Sequence, residues 1–188
     1  MSPAVERLLV VPAAGLGSRL GGHLPKLLAR ANGRSMLEHL LDLYLPVVER
    51  IVLVVHPAAR EAVRLAVAGV SCPVAVVVQE RPTGMLDAIL LARPAVEAAR
   101  PRRVWVTWCD QILIRPRTLR RLIEADAADP LLAMPTCASA TPYVHLARDA
   151  GGRIVRVLHR REGDPMPEEG ESDAGLFSLS RRAYLDLL

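Results

Sequence analysis

The residues that first suggest chemistry lie close together near the N-terminus. Gly15 and Gly17 follow an apolar run, and Arg19 and Lys26 come soon after them. Because residues this small let a ligand approach the main chain, the N–H groups of such a loop can hold the oxygens of a phosphate. Arg19 and Lys26 would neutralise its negative charge. The stretch therefore predicts a phosphate site, and the alternative is an ordinary glycine-containing turn with surface charges.

This loop differs from two familiar phosphate loops. A Rossmann loop needs the pattern G-x-G-x-x-G, but the position five after Gly15 is Leu20. A Walker loop needs G-K-[ST], but here Lys26 follows Pro25 and not a glycine. Lys26 is also the only lysine among 24 basic residues. A compact ammonium kept at this one position favours a chemical role over chance.

Polar residues also follow two later apolar runs. Gln79 ends one run, with Thr83 and Gly84 shortly after it, and Asp110 follows the run Arg103–Trp108. Taken alone, Gln79 is an ordinary strand-end residue, Thr83 a helix N-cap and Asp110 a carboxylate that caps a turn. In open α/β sheets, however, ligands bind at the carboxyl ends of the strands, where these residues would lie.

The apolar runs alternate with helical stretches, which is the pattern of βαβ units. We therefore predict an α/β fold with three layers: a mostly parallel, twisted sheet between helices, with an added β-hairpin that turns at Asp149–Gly152. A Ser35–Glu38 capping box begins the first helix. The predicted helices run from Ser35 to Pro46, Pro57 to Gly69, Thr83 to Ala99, Pro116 to Ala128 and from Arg181 onwards, and a polar loop covers Arg160–Glu171. The predicted strands are Arg7–Pro12, Arg50–Val55, Val74–Gln79, Arg103–Trp108, Leu131–Met134, Tyr143–Arg148, Arg153–His159 and Ala174–Leu179.

Composition narrows the class of protein. The 188 residues are 51% hydrophobic and 23% charged, which suits one folded domain and excludes a disordered chain. No apolar run approaches the roughly 18 residues of a membrane helix. The three scattered cysteines exclude a disulfide framework or a zinc site and fit a cytoplasmic compartment. With only 3% aromatic residues, the net charge of +4 favours a solvated arginine-rich surface over a nucleic-acid site.

Together these motifs resemble those of GT-A-like nucleotidyltransferases, a family that includes sugar-1-phosphate nucleotidyltransferases, methylerythritol-phosphate cytidylyltransferase and MobA-like NTP transferase domains. The string from Gly15 to Arg19, followed by Pro25 and Lys26, is similar to the family's G-x-G-x-R and P-K signature. Two later segments resemble the family as well. Gln79 with Thr83 and Gly84 is similar to its Q…GTG-x-A loop, and Cys109–Asp110 to its G-D motif, with cysteine in place of glycine.

The resemblance implies a role for each of these residues. Arg19 and Lys26 would be the catalytic residues that act on the phosphates, and Asp110 would bind Mg²⁺. Gln79 would contact the edge of the nucleobase. The nucleotide-binding residues implied in this way are Ala13, Ala14, Gly15, Gly17, Gln79, Thr83 and Gly84.

The acceptor end of the site is implied by a later segment. Glu171–Phe177 resembles the family's N-x-G segment, which contacts a sugar, and here Asp173 stands where many members carry asparagine. The resemblance therefore implies acceptor binding by Tyr143, Asp173 and Gly175, whereas Asp173 taken alone would merely begin a strand. The family's second metal carboxylate lies in a later stretch. We therefore expect residues 1–188 to be an NTP transferase domain that lacks its C-terminal part, with that carboxylate beyond Leu188.

The expected activity is that of a Mg²⁺-dependent nucleotidyltransferase, which transfers an NMP from a nucleoside triphosphate to a phosphorylated small-molecule acceptor and releases pyrophosphate. A sugar 1-phosphate is the favoured acceptor, because the hairpin and the segment after it resemble the sugar-phosphate enzymes. The first loop resembles the cytidylyltransferase version instead. Cytidylyl or guanylyl transfer to a polyol phosphate, a phosphonate or molybdopterin therefore stays open, as do a non-catalytic nucleotide-binding regulatory module and a homo-oligomer. No nucleic acid and no membrane is expected as a partner.

Overall fold

The structure is a computed structural model that describes residues 5–15, 25–81 and 83–188. The described residues form two compact units. The first unit comprises the described residues up to Ala133 together with Phe177–Leu188, and the second comprises Met134–Leu176. Gly17 and Arg19, which the sequence places in the phosphate loop, lie outside the described residues.

The strands are numbered in chain order, and most of the longer ones in the first unit match the predicted runs to within one or two residues. They are β1 (Arg7–Ala13), β2 (Arg30–Ala31), β3 (Arg34–Ser35), β4 (Arg50–Val55), β5 (Val74–Val78), β6 (Arg103–Thr107), β7 (Leu132–Ala133), β8 (Thr136–Ala140), β9 (Val144–Arg148), β10 (Ile154–His159), β11 (Glu169–Asp173) and β12 (Leu176–Ser180).

A six-stranded sheet forms the centre of the first unit, in the order β5-β4-β1-β6-β12-β7. Strands β5, β4, β1 and β6 run parallel to one another, and β7 runs antiparallel to β12. The consecutive residues Leu8–Val11 of β1 are all buried. An uninterrupted apolar strand of this kind is typical of a sheet that is covered on both faces. The predicted α/β fold with a mostly parallel sheet is therefore confirmed.

The helices follow the predicted alternation with strands, and the capping box of the first one is confirmed. Ser35 Oγ accepts a hydrogen bond from the Glu38 N–H at 3.2 Å, and the Glu38 carboxylate accepts one from the Ser35 N–H at 2.7 Å. The α-helices are α1 (Met36–Tyr44), α2 (Arg60–Ala66), α3 (Met85–Leu90), α4 (Arg93–Ala99) and α5 (Pro116–Asp126). Shorter turns occupy Lys26–Leu28, Pro57–Ala59 and Arg160–Glu162, which are 3-10 helices, and Ala183–Leu187, which is a π-helix.

The prediction of a single helix over Thr83–Ala99 is wrong in two respects. The chain breaks it into α3 and α4, because Pro94 has no N–H to continue the hydrogen-bond ladder and instead lies in the first turn of α4. Thr83 is not the N-cap. Gly84 takes that position with a φ of 125°, which a glycine adopts without strain, and no side chain caps the helix.

Two strand pairs were missed by the sequence reading. Strands β2 and β3 form a tight hairpin around Asn32 and Gly33, which both have positive φ. In the second unit, β8 pairs antiparallel with β11, although the latter lies partly in the predicted polar loop. The predicted hairpin of β9 and β10 is confirmed, and Asp149 closes its turn by accepting hydrogen bonds from the N–H groups of Gly151 and Arg153.

None of the helices built from the described residues has the length and hydropathy needed to cross a lipid bilayer.

Candidate functional site

The carboxyl ends of the parallel strands lie at one edge of the central sheet. In the strand register, Ala13 at the end of β1 is opposite Val55 at the end of β4, and Val55 is opposite Val78 at the end of β5. β6 also pairs parallel with β1, with Val106 opposite Val10. The loops that follow these strands therefore emerge at the same edge, as the sequence reading expected.

Lys26 and Asp110 meet at this edge. The Lys26 ammonium donates a hydrogen bond to a carboxylate oxygen of Asp110 and forms an ion pair with it, although 84 positions separate the two residues. Both side chains are partly exposed, at 34% and 38%. The two residues that the sequence singled out for phosphate and metal binding are thus in contact and open to solvent. Their direct pairing was not predicted.

Buried neighbours hold Lys26 in place. It begins the short turn Lys26–Leu28, in which Leu27 is fully buried and the Leu28 N–H donates to the Pro25 carbonyl at 2.8 Å. The Lys26 main-chain N–H donates to the Gly15 carbonyl at 3.4 Å, which ties the turn to the start of the loop that follows β1. The main chain of Lys26 is therefore anchored, while its side chain is partly exposed.

Asp110 is presented by a turn directly after β6. The Gln111 N–H donates to the Trp108 carbonyl at 3.1 Å and closes the turn, while the Trp108 ring packs on Phe177 at 5.7 Å between centroids. Cys109 points into the protein and is 6% exposed. Burial, followed by the nearby Asp110 charge, raises the pKa of the Cys109 thiol to about 11. Cys109 is therefore a buried anchor beneath Asp110 and a poor nucleophile.

Gln79, Thr83 and Gly84 form a second group at the same edge. The Gln79 side-chain amide donates to Thr83 Oγ1 at 3.3 Å and to the Gly84 carbonyl at 3.1 Å, and its own N–H donates to the Val55 carbonyl. Gln79 is only 6% exposed. In this state its amide N–H₂ holds the loop before α3, so a contact between Gln79 and a nucleobase stays a prediction.

The remaining loop residues are only partly described. Ala13 is buried as the last residue of β1, Ala14 is half-buried and Gly15 is exposed. The predicted Gly17 and Arg19 lie outside the described residues, and their roles stay predictions.

The three predicted acceptor residues belong to the second unit. Tyr143 is half exposed, and its ring meets that of His159 edge-on at 4.8 Å. Asp173 ends β11 rather than beginning a strand, and its Oδ1 accepts a hydrogen bond from the Gly175 N–H at 2.8 Å. Gly175 has a φ of 67°, a conformation that favours glycine. This geometry gives Asp173 and Gly175 a turn-forming role, and acceptor binding stays a prediction.

The surroundings of Asp110 indicate what kind of metal site it could form. Among the described residues, no group of three or more histidine, cysteine, aspartate or glutamate side chains could hold a metal ion. Mg²⁺ is often bound by one or two carboxylates together with waters and substrate phosphates. The accessible carboxylate of Asp110, close to the predicted phosphate loop, fits a Mg²⁺ ion that is shared with substrate phosphates. It does not fit a metal that is held by protein side chains alone.

The chain is similar to known proteins in sequence. Residues 9–172 match the family described as the MobA-like NTP transferase domain. The chain is 36% identical over 186 residues to "Bifunctional protein GlmU" of Azorhizobium caulinodans, covering 96% of this chain and 41% of that protein. It is 37% identical over 155 residues to the protein of the same name in Alkalilimnicola ehrlichii, covering 82% of this chain and 32% of the relative. The chain thus spans less than half the length of these curated relatives.

Solved structures share the fold. The inositol-1-phosphate CTP transferase of T. maritima superposes with a TM-score of 0.76 at 20% identity, over 100% of this chain and 76% of that chain. HddC from Yersinia pseudotuberculosis, which has also been solved in complex with GMP-PN, superposes with a TM-score of 0.68 at 20% identity, over 96% of this chain and 79% of that complex's chain. With a family match that covers most of its length, the chain belongs to the MobA-like NTP transferase domain family.

Proposed function

We propose that this protein transfers an NMP from a nucleoside triphosphate to a phosphorylated small-molecule acceptor, with a sugar 1-phosphate as the favoured acceptor, and releases pyrophosphate. One observation carries the proposal. Lys26 and Asp110, from two different loops, are in contact at the carboxyl edge of the sheet and remain open to solvent. A cation and a carboxylate placed side by side suit a substrate that brings both phosphates and a divalent metal.

Substrate binding separates the two side chains in this proposal. The Lys26 ammonium leaves Asp110 and binds a phosphate oxygen of the triphosphate, which frees the Asp110 carboxylate to hold Mg²⁺. Because the pair is partly exposed, separating it costs at most about 1 kcal/mol. When bound, the metal would neutralise charge on the phosphates. Gly15 and Gly17 would offer main-chain N–H groups, and Arg19 would add positive charge.

The reaction needs no strong general base. A phosphate oxygen of the acceptor attacks the α-phosphorus and forms the new P–O bond, while the bond from the α-phosphorus to the oxygen that bridges to the β-phosphorus breaks. That oxygen leaves with pyrophosphate. Since the attacking oxygen is already ionised, no proton has to be removed from it. Catalysis then consists of positioning and charge neutralisation, the roles proposed for Arg19 and Lys26.

The remaining predicted residues would select the substrates. Gln79, Thr83 and Gly84 are proposed to bind the nucleobase, which requires the Gln79 amide to exchange its contacts with the loop for contacts with the base. Tyr143 and the turn of Asp173 and Gly175 are proposed to bind the acceptor. The loop Ala13–Gly15 would lie against the nucleotide.

A second acceptor class is favoured by a specific observation. One solved structure that superposes over the whole of this chain is an inositol-1-phosphate CTP transferase, and the first loop resembles the cytidylyltransferase version. Cytidylyl or guanylyl transfer to a polyol phosphate is therefore the second candidate. A nucleotide-binding regulatory module without turnover is the third.

A pyrophosphate-release assay separates these candidates. The protein is incubated with Mg²⁺, each of the four common nucleoside triphosphates and an acceptor: glucose 1-phosphate, N-acetylglucosamine 1-phosphate, inositol 1-phosphate or methylerythritol phosphate. We expect release above background with at least one sugar 1-phosphate. Release with inositol 1-phosphate alone favours the second candidate. Triphosphate binding by calorimetry with no release from any pair supports the regulatory module and contradicts the proposal.

A further inference from the structure

A concentrated patch of positive charge follows Asp110 along the chain. We name it the α5 arginine cluster; its members are Arg115, Arg117, Arg120 and Arg121, and all four are exposed. Arg117, Arg120 and Arg121 have the i, i+3, i+4 spacing that places side chains on one face of a helix. The opposite face of α5 packs into the first unit through Leu119 and Leu122.

The described residues form no ion pair with the cluster, although Glu124 follows Arg120 and Arg121 on the same helix. Among the described residues, none lies within ion-pair or hydrogen-bond distance of these four guanidinium groups. By contrast, Arg64 on α2 pairs with Glu61, and Arg93 on α4 pairs with Glu97. No acidic residue lies in the first turn of α5, so the positive end of the helix dipole adds to the charge.

The candidate site needs a source of positive potential of this kind. Lys26 and Asp110 neutralise each other, so the pair alone does not attract an anion. A triphosphate and a phosphorylated acceptor are both strongly anionic. The segment from Asp110 to Arg115 is short enough to keep the start of α5 within roughly 18 Å of Asp110, which is inside the screening length of about 30 Å at 0.01 M salt.

We propose that the α5 arginine cluster steers anionic, phosphate-bearing substrates towards Lys26 and Asp110 and raises their rate of association. This inference rests on the proposed function. The residues act through their long-range field and not by touching the reacting atoms, so they alter the encounter and not the chemical step. The loss of two of the four charges is expected to slow association about three- to tenfold at low salt.

Stopped-flow association kinetics test the proposal. The probe is the methylanthraniloyl derivative of the triphosphate that gives most release in the pyrophosphate assay, used at 10 mM and 300 mM salt. The test variant is Arg115→Gln with Arg117→Gln. The matched control is Arg64→Gln with Arg100→Gln, which removes the same charge from the ends of α2 and α4. Circular dichroism checks that both variants fold.

Steering predicts a specific pattern of rates. The α5 variant should bind more slowly than wild type at 10 mM salt and equally fast at 300 mM, with an unchanged dissociation rate and an unchanged kcat. Equal slowing in the control variant, or slowing that persists at 300 mM, would overturn it. A third result would also overturn it: wild type binds a 20-base-pair DNA duplex in a salt-sensitive way, and the α5 variant loses this binding while its rate of nucleotide association stays normal. If the wild-type protein binds no triphosphate, the proposed function itself is contradicted. If the enzyme is active but wild type and the α5 variant associate with the nucleotide at the same rate at 10 mM salt, only steering is contradicted.

Discussion

Arg103 offers a sharp test of how the sheet that positions the site is stabilised. Its guanidinium is fully buried and donates to Ser178 Oγ at 3.0 Å, to the Ser178 carbonyl at 2.9 Å and to the Pro130 carbonyl at 2.6 Å. It also lies 3.1 Å from the Asp126 carboxylate. That carboxylate accepts further hydrogen bonds from Trp105 Nε1 and Ser178 Oγ. The network joins β6, β12 and the end of α5.

The substitution Arg103→Lys keeps the charge and removes the planar fork of donors. A single ammonium can remain beside Asp126, but it cannot also reach the carbonyls of Pro130 and Ser178, because those lie on different arms of the guanidinium. Each buried acceptor left without a donor costs about 1–3 kcal/mol. We therefore expect a loss of about 2–6 kcal/mol, a large part of the 5–15 kcal/mol that is typical of a folded domain.

Urea denaturation followed by tryptophan fluorescence measures this loss. The control is Arg64→Lys, because the Arg64 side chain is exposed and its ion pair with Glu61 lies at the surface of α2. An exposed pair that keeps its charge should change the free energy of unfolding by less than about 1 kcal/mol. The reasoning is refuted if Arg103→Lys destabilises the protein no more than Arg64→Lys does.

Three further predictions concern single side chains. Lys26→Arg should lower kcat/KM nearly as much as Lys26→Ala does, by about 30- to 1000-fold, and should change the stability little. Near-normal steady-state rates for the arginine variant would contradict this prediction. Exposed Cys137 should react with a thiol reagent at pH 8 well before Cys109 does. The raised pKa of Cys109, about 11, leaves only about a thousandth of that residue as the reactive thiolate at this pH. Mass spectrometry of the labelled protein shows which cysteine reacts first. Hydrogen bonds from Arg148 hold the pKa of Glu171 at about 2, so its ion pair should persist as pH falls to that value and be lost below it. In Arg148→Gln, an NMR titration should show the Glu171 pKa raised towards its ordinary range, because its largest cause is removed while the hydrogen bond with Thr136 remains. An unchanged pKa would show that Arg148 is not the cause.

The central sheet was predictable because its strands are continuous apolar runs. The run Arg50–Val55 was predicted and found with the same bounds, since a strand buried on both faces carries its own signal. Strands β8 and β11 carry no such signal, because their sequences are polar and small. They form through pairing with each other. The hairpin around Asn32 and Gly33 did have a signal, since this dipeptide favours the positive φ values of a tight turn.

The sequence predicted individual residues of the candidate site, but it did not predict how they are arranged. Lys26 was singled out as the only lysine and Asp110 as a carboxylate at a strand end, yet nothing local indicates that residues 84 positions apart form an ion pair. That contact depends on the parallel register of β1 and β6. Arg103 shows the opposite case. The sequence favours solvated arginines, and only the structure shows that this one is buried against Asp126.

Asp110 provides the most direct test of the proposed reaction. Pyrophosphate release is measured for wild type, for Asp110→Asn and for Asp42→Asn, with Mg²⁺ and the best pair of triphosphate and acceptor. Asp42 is the matched control because it also forms an exposed ion pair in the first unit, with Arg34 at 2.7 Å. We expect Asp110→Asn to lose about a hundredfold or more of the rate with an unchanged fold, and Asp42→Asn to resemble wild type. Near-normal release by a folded Asp110→Asn variant would contradict the assignment of this edge of the sheet as the site of nucleotidyl transfer.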